Sequence, residues 1–156
     1  MSKEIVLEQL RPQVGRETLV SDWATVDQSR IDLFAEATGD HQWIHVDVER
    51  AKRESPYKSP IAHGFLTLSM LPMLTSAGIG AQPPLPGVRL SVNYGLNRVR
   101  FPAPVKAGAR IRARSTLKEV AEVAGGLQIV REVTVEIEGG DKPACVAETV
   151  SRLYFE

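Results

Sequence analysis

The sequence predicts an α+β domain in which a curled antiparallel sheet wraps a long buried helix. Three observations predict it. Between Ser59 and Val88 the chain has no Asp, Glu, Lys or Arg, and Phe65, Leu66, Leu68, Met70, Leu71, Met73 and Leu74 make a helix there apolar almost all round, as a helix enclosed on several sides is. After Gly87 the apolar period drops to two, in Val88–Tyr94, Ile111–Ser115, Ile129–Ile137 and the β-former-rich run Cys145–Phe155. Turn signals at Pro102–Gly108, Gly125-Gly126 and Gly139-Gly140-Asp141 separate these runs, and long strands on short turns imply an antiparallel meander.

The elements follow in order. The opening Met1-Ser2-Lys3-Glu4 leads into a mixed polar stretch with no apolar run, so no signal peptide is expected. Residues 17–24 (ETLVSDWA) alternate loosely and suit a strand. Thr25 is placed to cap a helix, with Gln28 completing a capping box. Ile31, Phe34, Ala35 and Ala37 give that helix its apolar face and Gly39 its stop. A second short helix should start near Asp47 and run through ERAKRE before Pro56, which leaves Gly39 to Val46 as loop. The apolar helix should run from His63-Gly64 to about Ala77, with Pro72 kinking it or costing it one backbone bond.

Bulk properties bound the function. The 156 residues suit one domain spanning 1–156. Acidic and basic residues number 19 each, so no net field recruits nucleic acid or an anionic membrane. The Ser59–Val88 stretch is cut by Gly64, Pro72, Gly78, Gly80 and the Pro83–Pro86 cluster well short of the ~20 continuous apolar residues of a membrane span. A lone Cys145 forms no intrachain disulfide and fits a reducing compartment, here the cytoplasm. It falls in a strand pattern with no histidine nearby, as a core cysteine does.

Three places could carry chemistry. Gly39-Asp40-His41-Gln42-Trp43-Ile44-His45 is the densest polar cluster, and Asp40 and His45, five apart, could close onto one water as a carboxylate–imidazole acid–base pair. Equally, Asp40 could cap a turn and His45 be a satisfied half-buried histidine. At Pro60-Ile61-Ala62-His63-Gly64 the first helical N–H groups lack internal partners, and one of them could donate to an oxygen that becomes negative during reaction. Gly64 could instead permit close helix–sheet packing. In Asn93-Tyr94-Gly95-Leu96-Asn97-Arg98-Val99-Arg100-Phe101-Pro102, Arg98 and Arg100 share one strand face and could hold phosphates, or form a solvated face. The i,i+4 pair His41 and His45 could suggest a metal on a helix, but Gly39 argues against a helix there and no third ligand is evident in the sequence.

Ala37-Thr38-Gly39-Asp40, His45 and Ile61-Ala62-His63-Gly64 opening an apolar helix resemble the MaoC-like (R)-specific enoyl-CoA hydratase family. Asn93 to Val105, ending Arg-Phe-Pro-Ala-Pro-Val, is similar to the branch that includes nodulation protein N-type dehydratases. The resemblance implies the hotdog fold, usually paired into a homodimer by edge strands. It implies reversible hydration of trans-2-enoyl-CoA to (R)-3-hydroxyacyl-CoA, with no metal or redox cofactor. By resemblance Asp40 activates water, His45 shares that water and handles the second proton, and the Gly64 N–H receives the thioester oxygen. Ala62, His63, Asn93, Gly95, Arg98 and Arg100 are the substrate-binding candidates. Two positions depart from the family pattern: Gln42-Trp43 replaces Asn-Pro in the loop, and Pro72 stands where some relatives carry a supporting serine, leaving Ser69 as a stand-in. A hotdog thioesterase and a non-catalytic acyl-thioester-binding protein remain as rival functions.

Overall fold

The computed structural model describes residues 2–76 and 84–156. Helix α1 (Ser2–Leu10) and a 3-10 turn (Arg11–Gln13) precede strands β1 (Glu17–Val20) and β2 (Ala24–Val26). Helices α2 (Gln28–Thr38), α3 (Trp43–Val46), α4 (Val48–Glu54), α5 (Gly64–Ser69) and α6 (Leu71–Ser76) follow. Strands β3 (Val88–Arg100), β4 (Ala109–Val123), β5 (Gly126–Ile137) and β6 (Cys145–Phe155) complete the chain.

All six strands form one antiparallel sheet in the order β1-β4-β5-β6-β3, with β2 also on β4. The meander expectation holds for β4-β5-β6 but not for β3, which crosses to the far side of β6. Register shifts in β1, β3 and β4 insert unpaired residues, which bend long strands and deepen their twist. The curled sheet packs over α5 and α6, whose Leu66, Met70, Leu71 and Leu74 join Ile111, Ala113, Val133, Val135, Cys145 and Ala147 in the main core. This is the hotdog arrangement. A second core lies under α1, where Val6, Leu7 and Leu10 meet Leu117, Leu127, Ile129 and Leu153. The sequence reading gave the N-terminus no helix, because α1 draws its apolar purpose from the sheet beneath it.

Three local expectations are corrected. Thr25 does not cap α2. It pairs with Arg110 in β2, and Asp27 is the cap, its side chain accepting from Arg30 N. The segment from Gly39 to Val46 is not all loop, since α3 forms one helical turn within it. The central helix is not continuous but breaks at Met70. Pro72 has no N–H and disfavours helical geometry at its predecessor. With the break at Met70, Pro72 becomes the second residue of α6, where no intrahelical donor is required. The expected end at Ala77 lies outside the described residues. The two helices bury Leu66, Met70, Leu71 and Leu74, while Phe65 is 64% and Met73 44% exposed. The helix expected to start near Asp47 is present as α4, and Asp47 caps it by accepting from Arg50 N.

Candidate active site

Three chain segments meet at the mouth of α5. The first is the end of α2. Gly39 takes a left-handed conformation (φ 77°) while its N–H still reaches Ala35 O at 2.8 Å, so the chain leaves the helix sharply and Asp40 projects from the turn. Asp40 stays about half exposed, and its Oδ1 accepts a long 3.4 Å contact from Gln42 N.

The second segment is α3, which turns His45 inward to 7% exposure. His45 Nδ1 lies 2.6 Å from Ile61 O. A carbonyl can only accept, so Nδ1 carries the hydrogen and Nε2 keeps its lone pair. The backbone is clasped on both sides: Ile61 N donates to Ile44 O at 3.0 Å, and Gln28 Nε2 donates to His45 O at 2.8 Å. Burial lowers the His45 pKa from the ordinary 6.5; the Ile61 carbonyl opposes this and the neighbouring His63 ring adds to it. His45 is therefore a neutral imidazole with an open acceptor.

The third segment, Ile61 to Gly64, leads into α5. Ala62 is buried, its N–H bonded to Val105 O at 2.7 Å. His63, 3% exposed, stacks on His45 with ring centroids 3.8 Å apart and packs against Phe34 at 4.9 Å. Its Nε2 donates to Asp40 O at 2.9 Å and lies 4.0 Å from Asp40 Oδ2. His63 thus ties the Asp40 turn to the helix mouth. Among the described residues no acceptor takes the Gly64 N–H. A Cβ on Gly64 would stand 2.9 Å from the Phe101 ring, so the close-packing reading of this glycine holds whatever its N–H does.

The remaining candidates divide. Asn93 and Gly95 line a cavity of about 660 Å³ between α5–α6 and the sheet, and Ser69 and Pro72 line it from the helix side. Ser69 Oγ is spent on Phe65 O at 2.6 Å. Arg98 and Arg100 are exposed and alternate with Val99, which packs on the core; they therefore sit on the sheet face away from that cavity. His41 does not converge with His45: it faces Glu36 at 3.5 Å on the surface. A cation would instead find Asp40, His45 and His63, whose ligand atoms all lie within 4.8 Å of one another. Two of the four ring nitrogens there already serve Ile61 O and Asp40 O, leaving His45 Nε2 and His63 Nδ1 as possible ligands.

Sequence reasoning missed the supports. Gln28 was read as part of a capping box, yet it reaches 17 residues along the chain to His45 O. Phe101 was not assigned a role, yet it covers Gly64. No local pattern signals either contact. Cys145 is fully buried, and burial pushes its thiol up to about 11, as suits a core residue.

Comparison with known proteins matches residues 9–139 to a family model described as a MaoC-like domain. The 3-hydroxyacyl-thioester dehydratase Z of Mycobacterium tuberculosis (strain ATCC 25618 / H37Rv) is 50% identical over 144 residues, covering 92% of this chain and 92% of its own. Nodulation protein N of Rhizobium leguminosarum bv. viciae is 46% identical over 155 residues, covering 98% and 94%. Among solved structures, a monoamine oxidase regulatory protein from Archaeoglobus superposes with a TM-score of 0.76 at 27% identity, covering 92% of this chain and 91% of that one. An unliganded (R)-hydratase from Pseudomonas aeruginosa shares the fold, with a TM-score of 0.67 at 22% identity and coverage of 92% and 83%. With the model spanning most of the chain and relatives this similar over nearly their whole length, the chain belongs to the MaoC-like dehydratase family of hydro-lyases.

Proposed function

We propose that the protein catalyses reversible hydration of a trans-2-enoyl-CoA thioester to the (R)-3-hydroxyacyl-CoA. The observation that carries this reading is the pairing of a half-exposed carboxylate, Asp40, with a neutral imidazole whose Nε2 is left open by the Nδ1–Ile61 bond. One water can donate to both acceptors at once. As its oxygen attacks C3, Asp40 takes one proton while His45 Nε2 holds the other. Electron density moves from the double bond into the thioester, and the Gly64 N–H donates to the oxygen that becomes negative. The proton taken from water returns to C2 from the same face, which closes the balance as H and OH added across one double bond. Dehydration runs through the same groups in reverse.

The test is turnover of crotonyl-CoA followed by loss of enoyl absorbance. Asp40→Asn and His45→Ala should each lower kcat at least ~100-fold with the fold intact; wild-type turnover in either variant refutes the assignment. Free thiol released in the same assay would favour a thioesterase, and tight acyl-CoA binding without turnover a binding protein. Nothing in the pairing of Asp40 and His45 favours either over the hydratase.

Arg98 and Arg100, exposed beside the mouth-forming Phe101, are the proposed contacts to the phosphates of coenzyme A. Arg98→Ala should raise KM several-fold in low salt and less in high salt; a KM that does not move removes the role. No helix among the described residues is long and apolar enough to cross a membrane, and a cytoplasmic location fits the CoA substrate. Strand β3 bonds only β6 among the described strands and exposes Leu90, Val92, Tyr94 and Leu96. A long unpaired apolar edge invites pairing with a second copy, so the protein is proposed to be a homodimer. Sedimentation at monomer mass across micromolar concentrations would sink that proposal.

A further inference from the structure

The sheet face that meets the helices is not apolar throughout. On β5 the inward register runs Leu127, Ile129, Arg131, Val133, Val135, and four of these five are at most 2% exposed core residues. The fifth is a cation. Leu127 and Ile129 belong to the core under α1, while Val133 and Val135 belong to the core under α5–α6. Arg131 stands in the gap between them, opposite Leu117 on β4 and Thr149 on β6. No carboxylate or hydrogen-bond acceptor among the described residues meets its guanidinium, and burial alone lowers its pKa. Residues 77–83 (AGIGAQP) contain no carboxylate either. Arg131 is partly buried, so its guanidinium gives up part of its hydration with no protein partner in return, which is costly, and arginine does not escape the cost by losing its proton.

Arg131 lines the 660 Å³ cavity and also a neighbouring one of about 370 Å³ under the α1 side. Beside it, Asn93, Ser115, Thr149 and Ser151 give the larger cavity a polar sheet wall. Ser115 is 2% exposed, and its Oγ has no hydrogen-bond partner. Ser69 on the cavity wall lies about 7.5 Å farther along α5 than Gly64 at the mouth. A plain alkyl chain filling this space would leave both the guanidinium and the hydroxyl dry and unpaired. A carboxylate would accept from both.

We propose that this cavity is the acyl-chain compartment and that it selects a thioester whose chain ends in a carboxylate, with Arg131 as its charge partner and Ser115 Oγ as a hydrogen-bond donor. This deepens the hydratase reading and rests on it for the position of the thioester. Two saturated six-carbon thioesters, adipyl-CoA and hexanoyl-CoA, isolate the terminal group, since neither can be hydrated. By calorimetry the wild-type protein should bind adipyl-CoA at least about ten-fold more tightly. Arg131→Met should abolish that preference and leave hexanoyl-CoA binding equal or tighter. Its thermal midpoint should not fall, because an unpaired charge is replaced by an apolar chain of similar length. Ser115→Ala removes a hydroxyl that already lacks a partner, so it keeps the fold and should cut the preference several-fold; it decides the matter alone if the Arg131 variant does not fold.

Equal wild-type binding of the two thioesters, or a preference that survives Arg131→Met, overturns the proposal. Free glutarate should bind at least about ten-fold more weakly than adipyl-CoA; equal binding would make this an effector site for small diacids and overturn the acyl assignment. Crotonyl-CoA turnover in the same preparations separates the two readings. Turnover without a carboxylate preference sinks only this inference, and the preference without turnover sinks only the hydratase.

Discussion

The mouth of α5 and the cavity farther along it treat their polar groups in opposite ways. At the mouth the side chains are pinned: His45 by Ile61 O, His63 by Asp40 O, and Gln28 by His45 O and Asp32. Two acceptor-capable atoms there, Gln28 Oε1 and His63 Nδ1, are buried without partners, but each belongs to a side chain already anchored through another nitrogen. In the cavity neither Arg131 nor Ser115 Oγ has any anchor among the described residues. Buried polar groups are normally paired, so the contrast is informative. At the mouth His45, His63 and Gln28 are each held by protein partners before anything binds. The cavity is incomplete, and what completes it has to arrive.

The sharpest way to break this contrast is to cut the mouth's frame without touching Asp40 or His45. His63→Ala leaves Asp40 O without its donor and removes the ring stacked on His45 and packed on Phe34. Urea denaturation should show a loss of about 2–4 kcal/mol. If the frame positions the pair, kcat falls as well while KM for the CoA portion holds. An unchanged stability would mean that the Asp40 turn is held by something other than this histidine, and the mouth would lose its claim to be preassembled.

How much of this was legible in the sequence depends on how local each cause is. Gly39 as a helix stop, a helix start near Asp47 and the four long strands are written in adjacent residues, and the structure has them. Asp40 and His45 are legible as a pair because five residues and a helix stop bring them together. The position of β3 is not, since alternation says which residues face inward but not which strand lies beside which. Thr25 and Asp27 are both good caps, and the choice was made by β2 pairing with β4, a contact more than 80 residues away in sequence. The split of the central helix was half legible: Pro72 announced a disturbance, but its transfer to Met70 needed the geometry of the next helix. Arg131 had the clearest unread signal, a cation on the apolar beat of a strand. On a strand whose other inward residues are apolar, the mismatch carries the meaning.

A smaller effect sharpens the contrast from the side of pH. His45 and Arg131 are both pushed by burial toward their neutral forms, but only the histidine starts near physiological pH. Its folded pKa lies below the 6.5 it has when the chain is unfolded. The stability that goes with neutral His45 is therefore complete above pH 6.5. It is lost progressively as pH falls from there toward the lower folded value, because over that window the unfolded chain binds the proton and the native one does not. The acid limb of kcat against pH should accordingly break below 6.5, where Nε2 gains a proton and stops accepting from water. In a His45→Gln variant, which cannot titrate, the stability loss over that window should shrink. A kcat that instead falls as pH rises through the imidazole's range would mean that the imidazole works in its charged form, and the neutral acceptor inferred from the Ile61 contact would be the wrong protonation state for the chemistry.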